Sequence, residues 1–293
     1  MNRVKAAVDI GTNSVRLLVA RVSGVSVVPL YREILPTRLG EGLKPGGLLQ
    51  KGPWERTLDG ICRIAGKLAA FRPTEVVAVA TSAVREAQNG LEFAEAASEI
   101  LGVPVRVISG EEEARLSYFG AVHGLGLSEA VVVDIGGGST EITYPLEGRL
   151  MFHSCPVGAV RCTEAQSGRE EIRRAVRPAV SGAPPVLPVV GVGGTVTSLV
   201  AVHKKLVPYD PVQVHGARLS REAVDGLYGD LCRLDLKHRR RIPGLQPERA
   251  DIILAGIMIL QVLLEELNRP EVIVSEADLL YALLAEGGLE TSA

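Results

Sequence analysis

The chain has 293 residues, a formal net charge of −2, 46% hydrophobic and 23% charged residues. The apolar share excludes a disordered chain, the near-neutral balance argues against a general nucleic-acid binder, and no periodic repeat indicates a solenoid. With 32 glycines and only 4% aromatic residues, aliphatic side chains must fill the core. The backbone must also turn tightly, or approach something closely, at many positions.

Lys5 to Ile10 and Val15 to Val22 read as strands around Gly-Thr-Asn-Ser, a hairpin signal, and Val25 to Tyr31 as a third strand. Glu41 to Gly52 reads as a glycine-rich loop. From Pro53 to Phe71 the apolar residues Leu58, Ile61, Ile64, Ala65 and Leu68 recur at helical spacing. Glu75 to Ala80 is a short strand, followed by a helix that Thr81 or Ser82 would cap. Pro104 to Ile108 leads into a helix from Glu111 to His123. The pattern then restarts, with a strand at Ala130 to Asp134, a glycine turn at Ile135 to Ser139 and a returning strand at Thr140 to Tyr144. A strand at Pro188 to Val190 enters a third glycine turn, GVGGTVTSL, at Gly191 to Leu199. Helices follow at Arg221 to Leu234 and Glu248 to Asn268, then a strand at Val272 to Val274 and a last helix at Asp278 to Glu286. Alternating strands and helices with initial hairpins indicate mixed α/β lobes.

The four cysteines (Cys62, Cys155, Cys162, Cys232) form no CxxC pair and read as reduced, and the histidines show no ligand spacing. No cleavable secretory pattern opens the chain. The apolar run Ile252 to Leu264 is too short to cross a bilayer and suits a buried helix. The expectation is a soluble, cytoplasmic protein with no membrane and no nucleic-acid partner.

Two hairpins carry related motifs, DIGTNSVR at Asp9 to Arg16 and DIGGGSTE at Asp134 to Glu141. This motif-level repeat suggests two related lobes facing each other. Glycine lets a turn bring its backbone N–H groups close to an anion, and a Ser hydroxyl adds a donor. An Asp at the strand end cannot itself favour phosphate, so it calls for a cation such as Mg²⁺ beside the phosphate. Two such cradles imply a phosphorylated ligand. Of Glu111, Glu112 and Glu113, the first sits four residues before Arg115 and suits a helical ion pair. Glu112 would complete a capping box with Ser109. Glu113 has no such local duty, so it is the candidate base for an attacking water. Arg85 could grip phosphate oxygens, or pair with Glu86 or Glu92. The basic run Lys237 to Arg241 reads as a solvated face or as a path for a long anion.

Taken together, DIGTNSVR, ATSAVREAQN, ISGEEEARLSYFG, VVVDIGGGSTEI, GVGGTVTSL and PERADIILAG resemble the exopolyphosphatase and guanosine pentaphosphate phosphatase (Ppx/GppA) family in its short two-domain form. The resemblance implies two actin-like (ribonuclease H-like) α/β lobes of the actin, hexokinase and Hsp70 superfamily, with an interlobe cleft. It implies a first lobe of 1–122, with a C-terminal helix at 278–290 packing back on it, and a second lobe of 123–277. The implied activity is hydrolysis of a terminal phosphoanhydride, on inorganic polyphosphate or guanosine pentaphosphate, with Mg²⁺ or another divalent cation. By motif matching, Glu113 corresponds to the general base, and Asp134 and Glu141 to the carboxylates that place metal and water. The first phosphate loop is Asp9, Gly11, Thr12, Asn13, Ser14 and Arg16, and the second is Gly136, Gly137, Gly138, Ser139 and Thr140. Arg85 would approach substrate phosphates. Gly193, Gly194 and Thr195 would approach a nucleoside, and a homodimer is plausible by family analogy. One departure concerns the C-terminal segment. Where the family carries an Arg-Glu-Gly-type sequence, this chain reads SEADLLYALL at Ser275 to Leu284. Two rival readings are a phosphotransferase of the same superfamily and a non-hydrolysing polyphosphate or alarmone sensor.

Overall fold

Lys5 to Ile10 alternates across two packed faces, and that alternation explains the layering of the N-terminal part of the computed structural model, which describes residues 3–285. Ala6, Val8 and Ile10 join one apolar cluster, while Ala7 joins another on the opposite side. The elements in chain order begin with β1 (Arg3–Ile10), β2 (Val15–Ser23), β3 (Ser26–Leu35), α1 (Lys51–Phe71), β4 (Glu75–Ala80), α2 (Ser82–Glu86) and α3 (Gly90–Leu101). Then come β5 (Val105–Val107), α4 (Gly110–Gly124), β6 (Val131–Ile135), β7 (Thr140–Leu146), β8 (Arg149–Cys155), α5 (Ala159–Glu164) and α6 (Arg169–Val180). The rest are β9 (Val189–Val192), α7 (Gly194–His203), α8 (Pro211–Val214), β10 (Arg218–Ser220), α9 (Arg221–Cys232), α10 (Leu236–Arg239), α11 (Ile253–Glu266), β11 (Glu271–Val274) and α12 (Leu279–Leu284).

The chain divides into two units, Met1–Gly120 with Leu279–Ala293, and Ala121–Asp278. Of the expected C-terminal helix at 278–290, Leu279–Leu284 are helical as α12, and 286–290 lie outside the described residues.

In the first unit the sheet order is β3-β2-β1-β4-β5, antiparallel through the first three strands and parallel at β1–β4 and β4–β5. Ile61, Ile64, Leu68 and Phe93 of α1 and α3 cover one face. Leu116 of α4 and Leu279, Leu280, Ala282 and Leu284 of α12 cover the other. The divergent C-terminal segment therefore has a structural account. Its leucines give apolar cover to β1 and β2, and Arg32 donates to the Tyr281 hydroxyl.

The second sheet runs β8-β7-β6-β9-β11-β10. Its first five strands repeat the order and sense of the first sheet, with antiparallel β6–β7–β8 followed by parallel β9 and β11. Both units thus carry the ribonuclease H-like topology of an actin-like lobe. Helix α11 is apolar almost all round and lies buried in the second core. That fits the expected run from Ile252, although the helix begins at Ile253. The expected helix from Glu248 is corrected at its start, because Pro247–Arg249 form a single 3₁₀ turn.

Elements β8, α5, α6, α8, β10 and α10 are not among those the sequence predicts. The sequence also predicts α2 and α3 as one helix; Asn89 separates them by accepting from the Leu49 N–H at 2.8 Å. Within the basic run, Arg239 is a buried clamp that donates to the carbonyls of Leu231, Leu234 and Ala250. Lys237, Arg240 and Arg241 are exposed.

Candidate functional site

The two hairpins close in the same way. Gly11 N–H donates to Ser14 O at 3.0 Å, and Gly136 N–H donates to Ser139 O at 3.0 Å. In each, the residue seven after the Asp stands directly opposite it across the antiparallel pair, Asp9 facing Arg16 and Asp134 facing Glu141. Directly opposed residues share one face of the sheet, so the two side chains of each pair project from the same face. In the first unit they form an ion pair, with Arg16 Nε and Nη2 both 2.7 Å from Asp9 Oδ2. In the second the opposed residues are two carboxylates; Glu141 is 2% exposed, and Ser154 Oγ donates to its Oε1 at 2.8 Å.

Each turn is pinned from its carbonyl side. Thr12 O and Asn13 O accept from the Gly40 and Arg38 amides, both at 2.9 Å. In the second unit Gly136 O accepts from Ala159 N, and Gly137 O from Val160 N and Arg161 N. The amides of Thr12, Asn13 and Ser14, and those of Gly137, Gly138 and Ser139, meet no backbone acceptor among the described residues. Thr12 Oγ1 and Asn13 Oδ1 are likewise buried without a hydrogen-bond partner. Buried polar groups are normally satisfied; the open amides are the donors of an anion site, whereas Asn13 Oδ1 and Asp9 Oδ1, also buried without a hydrogen-bond partner, are acceptors that call for a donor or a cation.

Two glycines outside the motifs make the pinning sterically feasible. A Cβ at Gly158 would lie 2.5 Å from Gly137 C and O and 2.7 Å from Gly138 C, and one at Gly40 would overlap the Thr12 side chain. Gly158→Ala should therefore displace the second turn. The expected result is a loss of about 1–3 kcal/mol of stability, as for overpacking elsewhere, with a turnover loss of roughly tenfold. Thermal melting and phosphate release would test this, and an unchanged variant would mean that the turn has slack the distances deny.

Glu113 lies in the first turn of α4. Ser109 Oγ caps the helix by accepting from Glu112 N–H at 3.0 Å. The Glu112 carboxylate takes Arg106 at 2.9 Å instead of completing the reciprocal half of the box. Arg85, on α2, pairs with neither Glu86 nor Glu92. Its Nη1 donates to Glu113 Oε2 at 3.0 Å and to Ile108 O at 2.9 Å. Neither Thr81 nor Ser82 caps α2 through its side chain, and Ser82 Oγ donates to Glu86 at 2.8 Å.

The third glycine turn abuts the second. Gly193 has φ +91°, and a Cβ there would lie 2.9 Å from Asp134 Oδ1. A side chain at Gly194 would overlap the Arg249 guanidinium, so Arg249 covers this turn. Thr195 turns instead into α11, where it rests against Gly256. The cysteines are free. Burial, and then the neighbouring Glu141 charge, push the Cys155 thiol up to about 11, which makes it a poor nucleophile.

A model of the Ppx/GppA phosphatase family matches residues 18–284. The chain belongs to that family. It is 33% identical over 304 residues to Exopolyphosphatase 2 of Mycobacterium tuberculosis, covering 94% of this chain and 95% of the relative. Among solved structures, the Ppx/GppA enzyme of Aquifex aeolicus shares 33% identity at a TM-score of 0.78, over 97% of this chain and 99% of that one. An exopolyphosphatase-like protein shares 28% at a TM-score of 0.89, over 97% of each chain. As a Ppx/GppA family member the chain is a phosphoanhydride hydrolase. No helix among its described residues is long and apolar enough to cross a membrane.

Proposed function

We propose that this chain releases terminal orthophosphate from inorganic polyphosphate in a reduced, cytoplasmic setting, which its free cysteines suit. The observation that carries the reading is the second glycine turn, with its amides open, its carbonyls pinned and two carboxylates directly opposed beside it. Similarity to a protein named exopolyphosphatase supports polyphosphate over other anhydrides.

The residues fit a hard divalent cation. Mg²⁺ takes one or two carboxylates and completes its shell with water and phosphate oxygens. Asp134 and Glu141 offer that number, and no group of three or more His, Cys, Asp or Glu suited to a metal occurs among the described residues. Asp134 and Glu141 would hold the ion, which when bound would neutralise charge developing on the leaving phosphate oxygen.

The amides of Gly137, Gly138 and Ser139 would bind oxygens of the terminal phosphate, with the Ser139 hydroxyl as a further donor. The first unit carries a second set of donors, the amides of Thr12, Asn13 and Ser14, with Arg16 as a fixed positive charge beside them. Glu113 would accept a proton from the attacking water, with Arg85 aiming its carboxylate.

The test is product analysis with Mg²⁺ and without an acceptor, on short polyphosphate, long polyphosphate and guanosine pentaphosphate. Orthophosphate from polyphosphate is the expected result, and release from guanosine pentaphosphate would extend the substrate range. Transfer only in the presence of an acceptor would make the chain a phosphotransferase, and binding without release would make it a sensor.

A further inference from the structure

Every carbonyl of the second glycine turn from Gly136 to Gly138 is held from the same short stretch, Ala159 to Arg161. Backbone amides hold the first two, at 2.9–3.1 Å. Gly138 is different, because its carbonyl accepts from the Arg161 side chain, with Nε at 2.6 Å. We propose that Arg161 is a positioning residue for the phosphate cradle. By fixing the Gly138 carbonyl on the α5 side, it aims the N–H of the next peptide, that of Ser139, towards the bound phosphate. This rests on the function proposed above and adds to it a residue that no motif of the sequence marked.

The physical argument is rigidity of the peptide plane. Carbonyl and amide of one peptide unit point in opposite directions, so a donor that anchors Gly138 O also orients Ser139 N–H. A charged donor makes the stronger hydrogen bond, and it polarises the peptide so that the opposite N–H is a better donor. The first unit solves the same problem differently. There the Arg38 and Gly40 backbone amides hold the turn, so no side chain is needed. The amides at the start of α5 are engaged by the turn and bind no ligand themselves.

Two substitutions separate the hydrogen bond from charge and bulk. Arg161→Gln places an amide nitrogen where Arg has Nε, and Arg161→Met places a methyl group there. Orthophosphate release from polyphosphate and calorimetric binding of tripolyphosphate are measured for both variants and for wild type, with thermal melting as the fold control. Arg161→Met should lose on the order of tenfold in turnover and bind tripolyphosphate several-fold more weakly, whereas Arg161→Gln should stay within about threefold of wild type. Equal losses in the two variants would overturn the assignment in favour of a charge effect, and no loss in either would overturn it outright. If wild type releases no phosphate, the hydrolase reading falls, while tripolyphosphate binding by Gln against Met still decides the role of Arg161. If the Met variant does not fold, Gln against Arg161→Glu, which has an acceptor in place of the donor, decides it in the same way.

Discussion

Glu113→Gln is expected to lower the rate of phosphate release about 10²–10⁴-fold, the range that a positioned general base supplies, while polyphosphate binding stays within a few fold. Gln keeps the side-chain length and an oxygen that can still accept from Arg85 Nη1, which donates to Glu113 Oε2 at 3.0 Å in the wild type. What it loses is the ability to take a proton. The carboxylate is placed by two anchors outside itself. Its backbone N–H donates to Ser109 O at 2.9 Å, and Arg85 is in turn held on Ile108 O at 2.9 Å. Single-turnover release, measured beside calorimetric affinity, separates the two effects. A variant within tenfold of wild type would remove Glu113 from the chemistry and leave Arg85–Glu113 as a structural ion pair.

That pair also shows what local sequence logic could reach. Ser109 does cap α4, and Glu113 was singled out because capping and helical pairing accounted for its neighbours. Arg85 was visible as a cation in the right motif, but its partner comes from an element 28 positions along the chain, and only tertiary structure brings the two together. The turns themselves were legible, because glycine between an Asp-ended strand and a returning strand is a local signal. Their supports were not. Gly40, Gly158 and Arg161 act on backbone carbonyls of distant turns, where no side-chain pattern records the contact. Ser154 reaches Glu141 only through the β7–β8 register.

The missed elements have similar causes. Strand β8 is mostly part-exposed, with Arg149 and His153 interrupting its apolar residues, so it lacks clean alternation. Helix α6 carries Pro178 near its end, which weakens a helical reading, yet Ile172, Val176, Ala179 and Val180 are buried at helical spacing. That periodicity was the available signal. The polar side of α6 is explained by Arg169 and Arg173, which pair with Glu265 and Glu266 of α11.

Glu141→Gln is the counterpart in the second unit. It is expected to raise the half-saturating Mg²⁺ concentration by at least tenfold and to lower turnover at moderate Mg²⁺ by about 10²-fold, the upper end of what losing support at a metal site costs. The reason lies in the difference between the two hairpins. Asp9 faces a guanidinium carried by the chain, which holds its Oδ2. Asp134 faces a second carboxylate, and directly opposed like charges are destabilising, a cost that a bound cation would relieve. The amide of Gln keeps an oxygen for the Ser154 hydroxyl, which donates to Glu141 Oε1 at 2.8 Å in the wild type, so the fold should survive. The repulsion disappears, and with it the demand for metal. Mn²⁺ binding without substrate, followed by electron paramagnetic resonance, reads this independently of catalysis. If Glu141→Gln bound Mn²⁺ as wild type does, the carboxylate pair would not be the metal site.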